Sequence, residues 1–103
     1  MNLPKTLSKK SFAIYGLGAT GLSVISYFRK SKIKDFYAWD DNKAKRNQIK
    51  KRLSIKEFSK KLDTVNYIVL SPGIDIKKVK LKRKLLKNKN KIITDIDLFY
   101  MKN

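Results

Sequence analysis

Residues 11–21 read Ser-Phe-Ala-Ile-Tyr-Gly-Leu-Gly-Ala-Thr-Gly, and this stretch constrains the fold more than any other in the chain. A short run with β-branched and aromatic character predicts a strand over 11–15 that stops at Gly16. A helix is expected to start near Ala19 or Thr20 and to reach Lys30, because Leu22, Ile25 and Phe28 recur at helical spacing on one face. A strand that passes through a glycine turn directly into a helix is the opening half of a βαβ unit. The glycines at 16, 18 and 21 fit G-x-G-x-x-G, a pattern that is weak alone and gains weight from this placement. In that pattern Gly16 permits the tight turn, Gly18 lets the backbone approach a diphosphate, and Gly21 lets helix pack on strand. A glycine turn that serves packing alone is the bland alternative.

The remaining pattern continues the alternation. A second strand is expected over 35–39, carrying Phe36, Tyr37 and Trp39 and ending at Asp40-Asp41. A weakly amphipathic, lysine-rich helix follows over 42–52, with only Ala44 and Ile49 apolar. Ser54 and Glu57 have capping-box spacing and predict a helix that reaches Leu62. The most strand-like segment, 67–70, ends in Ser71-Pro72-Gly73. A helix over 76–86 then uses Val79, Leu81, Leu85 and Leu86, and a fourth strand over 91–93 follows. Thr94 with Asp97 forms a second capping arrangement that opens a last helix. Strands alternating with helices imply an α/β chain, a Rossmann-like open parallel sheet with helices on both faces. At 103 residues it is expected to be a single small domain spanning 1–103.

Ligands of such sheets bind outside the carboxyl ends of the strands, so the residues just past each strand are the site candidates. Ala19 and Thr20 would present helix N-terminal amides to an anion, and Thr20 adds a hydroxyl. Asp40 lies at the distance beyond the glycines where a carboxylate is expected to accept from ribose hydroxyls, or from a uracil N–H in a uridine site. Asp41 is open to a second reading as the N-cap of the next helix, which makes Asp40 the better ligand candidate. Ser71, Pro72 and Gly73 place a rigid turn where a third loop would meet the same crevice, although an ordinary turn has the same composition.

Composition narrows the chemistry. The chain has no cysteine and no histidine, which excludes disulfides, thiolate chemistry and the commonest general base and metal ligand. No catalytic residue and no metal site is assigned. The basic N-terminus precedes an apolar run too short for a signal peptide or a membrane span of about 18 residues, so a cytosolic, non-membrane protein is the simpler reading. The 26 Lys and Arg against 8 Asp and Glu leave a formal charge of +18. That field attracts anions, and a basic nucleic-acid-binding module is one reading of it. The lysines are spread through nearly every segment, however, and the run from 77 to 91 contains no aromatic on which a base would stack. Lysine-rich compositional bias, with no specific nucleic-acid partner, is the simpler account.

Three segments carry a more specific resemblance. Ile14-Tyr15-Gly16-Leu17-Gly18-Ala19-Thr20-Gly21-Leu22-Ser23, Val69-Leu70-Ser71-Pro72-Gly73-Ile74 and Ile93-Thr94-Asp95-Ile96-Asp97-Leu98-Phe99 resemble, in order and spacing, the first domain of the Mur ligases in their D-glutamate-adding branch. Trp39-Asp40-Asp41-Asn42 also fits the end of the second strand in some members. The resemblance implies an N-terminal domain that holds the UDP part of UDP-MurNAc-L-Ala during cytoplasmic peptidoglycan synthesis. The backbone around Gly18, Ala19 and Thr20 would bind the pyrophosphate, Asp40, Asp41 and Asn42 would surround uracil and ribose, and residues 71–73 would wall the crevice. It implies ATP and Mg2+ for the full-length ligase, whose central domain activates the substrate as an acyl phosphate. The 103 residues contain no G-x-x-G-K-[ST] loop, so no cofactor is expected in this domain, and the chain alone is expected to be inactive without the remaining ligase domains. An NAD- or FAD-binding Rossmann domain is the main alternative. It accounts for the glycines and Asp40 but not for the other two segments.

Overall fold

The computed structural model describes residues 5–49 and 52–101. Four parallel strands, β1 (Phe12–Tyr15), β2 (Phe36–Trp39), β3 (Tyr67–Leu70) and β4 (Ile92–Ile93), form one sheet in the order β2-β1-β3-β4. The helices are α1 (Lys5–Ser8), α2 (Ala19–Lys30), α3 (Lys43–Arg46), α4 (Ile55–Thr64), α5 (Lys82–Lys87) and α6 (Asp95–Met101). This is the expected Rossmann-like α/β fold.

Alternation along each strand builds two cores, one on each face. Phe12, Ile14, Ala38 and Val69 face α2, where Val24, Ile25 and Phe28 meet them, joined by Leu98 of α6 and Leu7 of α1. Ala13, Tyr15, Trp39, Ile68 and Leu70 face the other way, onto Phe58 and Leu62 of α4 and Leu85 of α5. All four β1 residues are buried, as expected of a central strand covered on both sides. Aromatic rings mark both layers. Phe12 lies 4.7 Å from Phe28 on the α2 side, and Trp39 stacks 6.0 Å from Phe58 on the other.

Both predicted capping boxes form. Ser54 accepts from the Glu57 amide at 3.1 Å while Glu57 accepts from the Ser54 amide at 3.0 Å, and Thr94 with Asp97 repeats the exchange. The far end of α4 is secured by lysine. Lys91 Nζ donates to the carbonyls of Leu62 and Asp63, favourable at the negative end of a helix. The Asp63 carboxylate accepts from Asn88 and pairs with Lys84. Those two partners, Asn88 foremost, pull its carboxyl down to about 2. Part of the lysine-rich run therefore has a structural duty.

Several expectations are corrected. The continuous helix over 76–86 is a 3-10 turn at Ile76–Lys78 followed by α5 at Lys82–Lys87, with Val79, Lys80 and Leu81 between them. The Lys80 amide donates to the Asp41 carboxylate at 3.0 Å and the Leu81 amide to the Tyr15 hydroxyl at 3.4 Å. Those amides are turned to distant partners and do not continue a helical ladder. The helix over 42–52 shrinks to Lys43–Arg46, and Lys50 and Lys51 lie outside the described residues. Asn42, not Asp41, caps α3, with its side chain accepting from the Ala44 and Lys45 amides. The sequence reading also omitted α1. Among the described residues, no helix is long and apolar enough to cross a membrane.

Candidate functional site

The chain leaves β1 for β2 on one side and reaches β3 on the other, so the sheet reverses direction at β1. The carboxyl ends of β1 and β3 therefore frame a topological switch point, where open α/β sheets bind ligands. A cavity of about 370 Å3 lies there, walled by Gly16, Gly18, Ala19, Thr20, Asp40, Ser71, Pro72 and Gly73, with Lys45 and Ile74. Eight of the eleven sequence candidates thus meet in one hollow. Gly21, Asp41 and Asn42 are not among its walls. A smaller hollow of about 170 Å3 between α2 and α6 shares Thr20 with it but is mostly apolar and is lined by none of the other candidates.

The glycine loop is fixed from several sides. Gly16 takes a φ of +105°, and a Cβ there would sit 2.5 Å from Ile74 Cδ1 and 2.9 Å from Ser71 Oγ. Its amide donates to the Trp39 carbonyl at 2.7 Å, while the Ser71 amide donates to the Tyr15 carbonyl at 3.3 Å. A Cβ on Gly21 would fall 1.9 Å from the Gly16 carbonyl oxygen, so Gly21 is there to let α2 pack against the turn. Gly18 is different. A Cβ there would meet only Lys45 Nζ, at 4.0 Å, so its bareness keeps the cavity open and not the packing tight. Gly18 is the N-cap of α2 and provides no side-chain cap. The first-turn amides and the positive end of the helix dipole face the cavity without a protein carboxylate to satisfy them.

The two adjacent aspartates go to opposite sides, as strand alternation requires. Asp40 follows Ala38 onto the α2 side. One oxygen accepts from the Leu17 amide at 2.7 Å and the other from the Asn42 amide at 2.7 Å, so Asp40 ties the glycine loop to the start of α3. Asp41 follows Trp39 onto the other side. Its carboxylate accepts from the Tyr15 hydroxyl at 2.7 Å, the Trp39 indole at 2.9 Å and the Lys80 amide. Burial pushes its carboxyl up, but the Tyr15, Lys80 and Trp39 hydrogen bonds outweigh that and hold it below the usual range. Burial, reinforced by Asp41, drives the Tyr15 hydroxyl above the ordinary phenol value. Lys45 was missed because a lysine-rich sequence offers no reason to choose one lysine.

Residues 10–94 match the family described as Mur ligase MurD-like, N-terminal domain. The chain belongs to this family. It is also 40% identical, over 100 aligned residues, to UDP-N-acetylmuramoylalanine--D-glutamate ligase of Wolbachia sp. subsp. Brugia malayi (strain TRS). That similarity covers 87% of this chain and 19% of the relative, so the chain spans about a fifth of that ligase's length. The family match spans the glycine loop and the Ser-Pro-Gly-Ile turn and supports the resemblance they carry; it ends at residue 94, where the third segment has only begun.

Proposed function

We propose that this Mur ligase domain, spanning 1–103, is the UDP-substrate-binding domain of an ATP-dependent ligase that adds D-glutamate to UDP-MurNAc-L-Ala in cytoplasmic peptidoglycan synthesis. The observation that carries the reading is the meeting of glycine loop, Asp40 and Ser71-Pro72-Gly73 in one cavity at the switch point. The amides around Gly18, Ala19 and Thr20 receive the pyrophosphate, because an uncapped helix start supplies aligned donors and no competing charge. Asp40 borders the ribose and uracil, Asn42 stands behind it as the cap of α3, and residues 71–73 wall the opposite side. Asp41 serves the site from behind, since it is not among the cavity walls and its carboxylate is turned the other way, onto Tyr15, Trp39 and Lys80. ATP and Mg2+ belong to the remaining ligase domains, and no step of the ligation is assigned to a residue here. The +18 charge needs no dedicated nucleic-acid partner, being lysine-rich composition with some of its members spent on α4.

The test is calorimetric titration of the chain with UDP-MurNAc-L-Ala, UDP and NAD at physiological salt. Saturable binding that prefers the two UDP ligands is expected. A preference for NAD would replace the ligase reading with a dinucleotide one.

A further inference from the structure

In a chain with 26 Lys and Arg, a single lysine acquires meaning only from its position. Lys45 has one. It belongs to α3, a helix of four residues that would not persist alone and is held from outside. Asn42 caps its start. Arg46 pins its end, with the guanidinium 4.3 Å over the Trp39 ring and Nη1 donating to the Asp40 carbonyl at 2.7 Å and the Asp41 carbonyl at 3.1 Å. These contacts suspend Lys45 above the glycine loop. Its ammonium comes within 4.0 Å of the Cβ position of Gly18 and lines the cavity with Ala19, Thr20 and Ser71. Among the described residues, the ion pairs gather on Asp63, with Lys84 and Lys87, and Lys45 is outside them.

The anion it faces needs more charge than the backbone offers. A helix N-terminus supplies about half an elementary positive charge, whereas a diphosphate carries several negative ones. Asp40, the one carboxylate of the cavity wall among the described residues, adds to the deficit. We propose that Lys45 supplies the missing charge, contacting the diphosphate directly and making the crevice select a nucleoside diphosphate over the bare nucleoside. The proposal rests on the nucleotide-binding reading above, and it names the residue that sets this preference.

NMR titration of the full chain with UDP and with uridine, at fixed ionic strength, tests it in three proteins: wild type, Lys45→Gln and Lys43→Gln. Lys43 is on the same helix and is not among the cavity walls, so its variant reports the general loss of one positive charge. Lys45→Gln is expected to weaken UDP about tenfold or more, the range of a charge-assisted hydrogen bond. Its uridine affinity and melting temperature should stay at wild-type values, and Lys43→Gln should change UDP affinity less than about twofold by screened surface attraction. Equal losses in the two variants would reduce Lys45 to a share of the overall field and overturn the proposal. If wild type binds UDP and Lys45→Gln binds it equally well, the proposal fails while the nucleotide reading stands. If wild type binds neither ligand, the nucleotide reading fails and takes the proposal with it.

Discussion

Tyr15, Trp39, Asp41, Lys80 and Leu81 close a cluster behind the ends of β1 and β2 in which each polar group has found its partner. A few ångströms of chain further on, Gly16, Gly18, Asp40 and Lys45 line an opening where the α2 amides lack a side-chain cap. The same two strands deliver both regions. Hydrogen bonds in the first, most of them partly buried, fasten β1, β2 and the chain after β3 into one unit, and an unpaired group there would cost part of its desolvation without recovering it. The second region is held by its neighbours but leaves donors and charge facing outward. What separates a stabilising cluster from a binding site here is whether the helix amides and the lysine are satisfied from within, Asp40 itself being held by the Leu17 and Asn42 amides.

The glycines give the sharpest way to break that contrast. Gly21→Ala would push a methyl group into the Gly16 carbonyl, which is backbone and cannot rotate away. A loss of about 3 kcal/mol is expected from such overpacking, visible in urea denaturation as a lower midpoint with an unchanged slope. A midpoint within experimental error of wild type would mean that the turn relaxes freely and that Gly21 has no packing role.

Much of this was legible in the sequence, for identifiable reasons. The strands declared themselves through short apolar runs ending in turn residues, and both capping boxes were visible because their partners are three residues apart. The interruption at Val79, Lys80 and Leu81 was not, since its cause is a carboxylate and a hydroxyl 39 and 66 residues away. The division of labour between Asp40 and Asp41 was half visible. Alternation sends neighbours to opposite faces, but only the pairing of Tyr15 with Trp39 across β1 and β2 reveals which face holds a phenol and an indole ready to donate. Lys45 carried no local signal at all, because its position depends on Arg46 stacking over Trp39.

A second test titrates the closed cluster. Asp41 has a carboxyl held below its ordinary value of 3.8, so the folded state binds its proton less readily than the unfolded chain does. Its stabilisation is therefore complete above about pH 4 and is lost as pH falls through the lower folded value. Asp41→Asn should cost about 2 kcal/mol at neutral pH, because its amide group turns a donor towards one of the donors it replaces an acceptor for. The acid limb of the melting-temperature profile should also become shallower. An acid limb identical to wild type would place the acid-sensitive group elsewhere, with Asp63 the next candidate.

The smallest effects on stability are expected in the open region, where they separate folding from binding. A Cβ on Gly18 would meet nothing nearer than the flexible end of Lys45, and one on Gly73 would meet nothing within 4 Å. Neither glycine has a left-handed φ, so Gly73→Ala should leave stability within about 0.5 kcal/mol of wild type, and Gly18→Ala, which puts a poorer residue at the N-cap of α2, should cost no more than about 1 kcal/mol. Nucleotide affinity should respond differently. At Gly18 the added methyl group stands where a diphosphate approaches the backbone, and a loss of about tenfold in UDP affinity is expected. At Gly73, on the far wall, the change should be no more than severalfold. Small stability losses with unequal affinity would show that the crevice is spare room in the fold and occupied room in the complex. A folding defect in Gly18→Ala would instead return that glycine to the packing duties of Gly16 and Gly21.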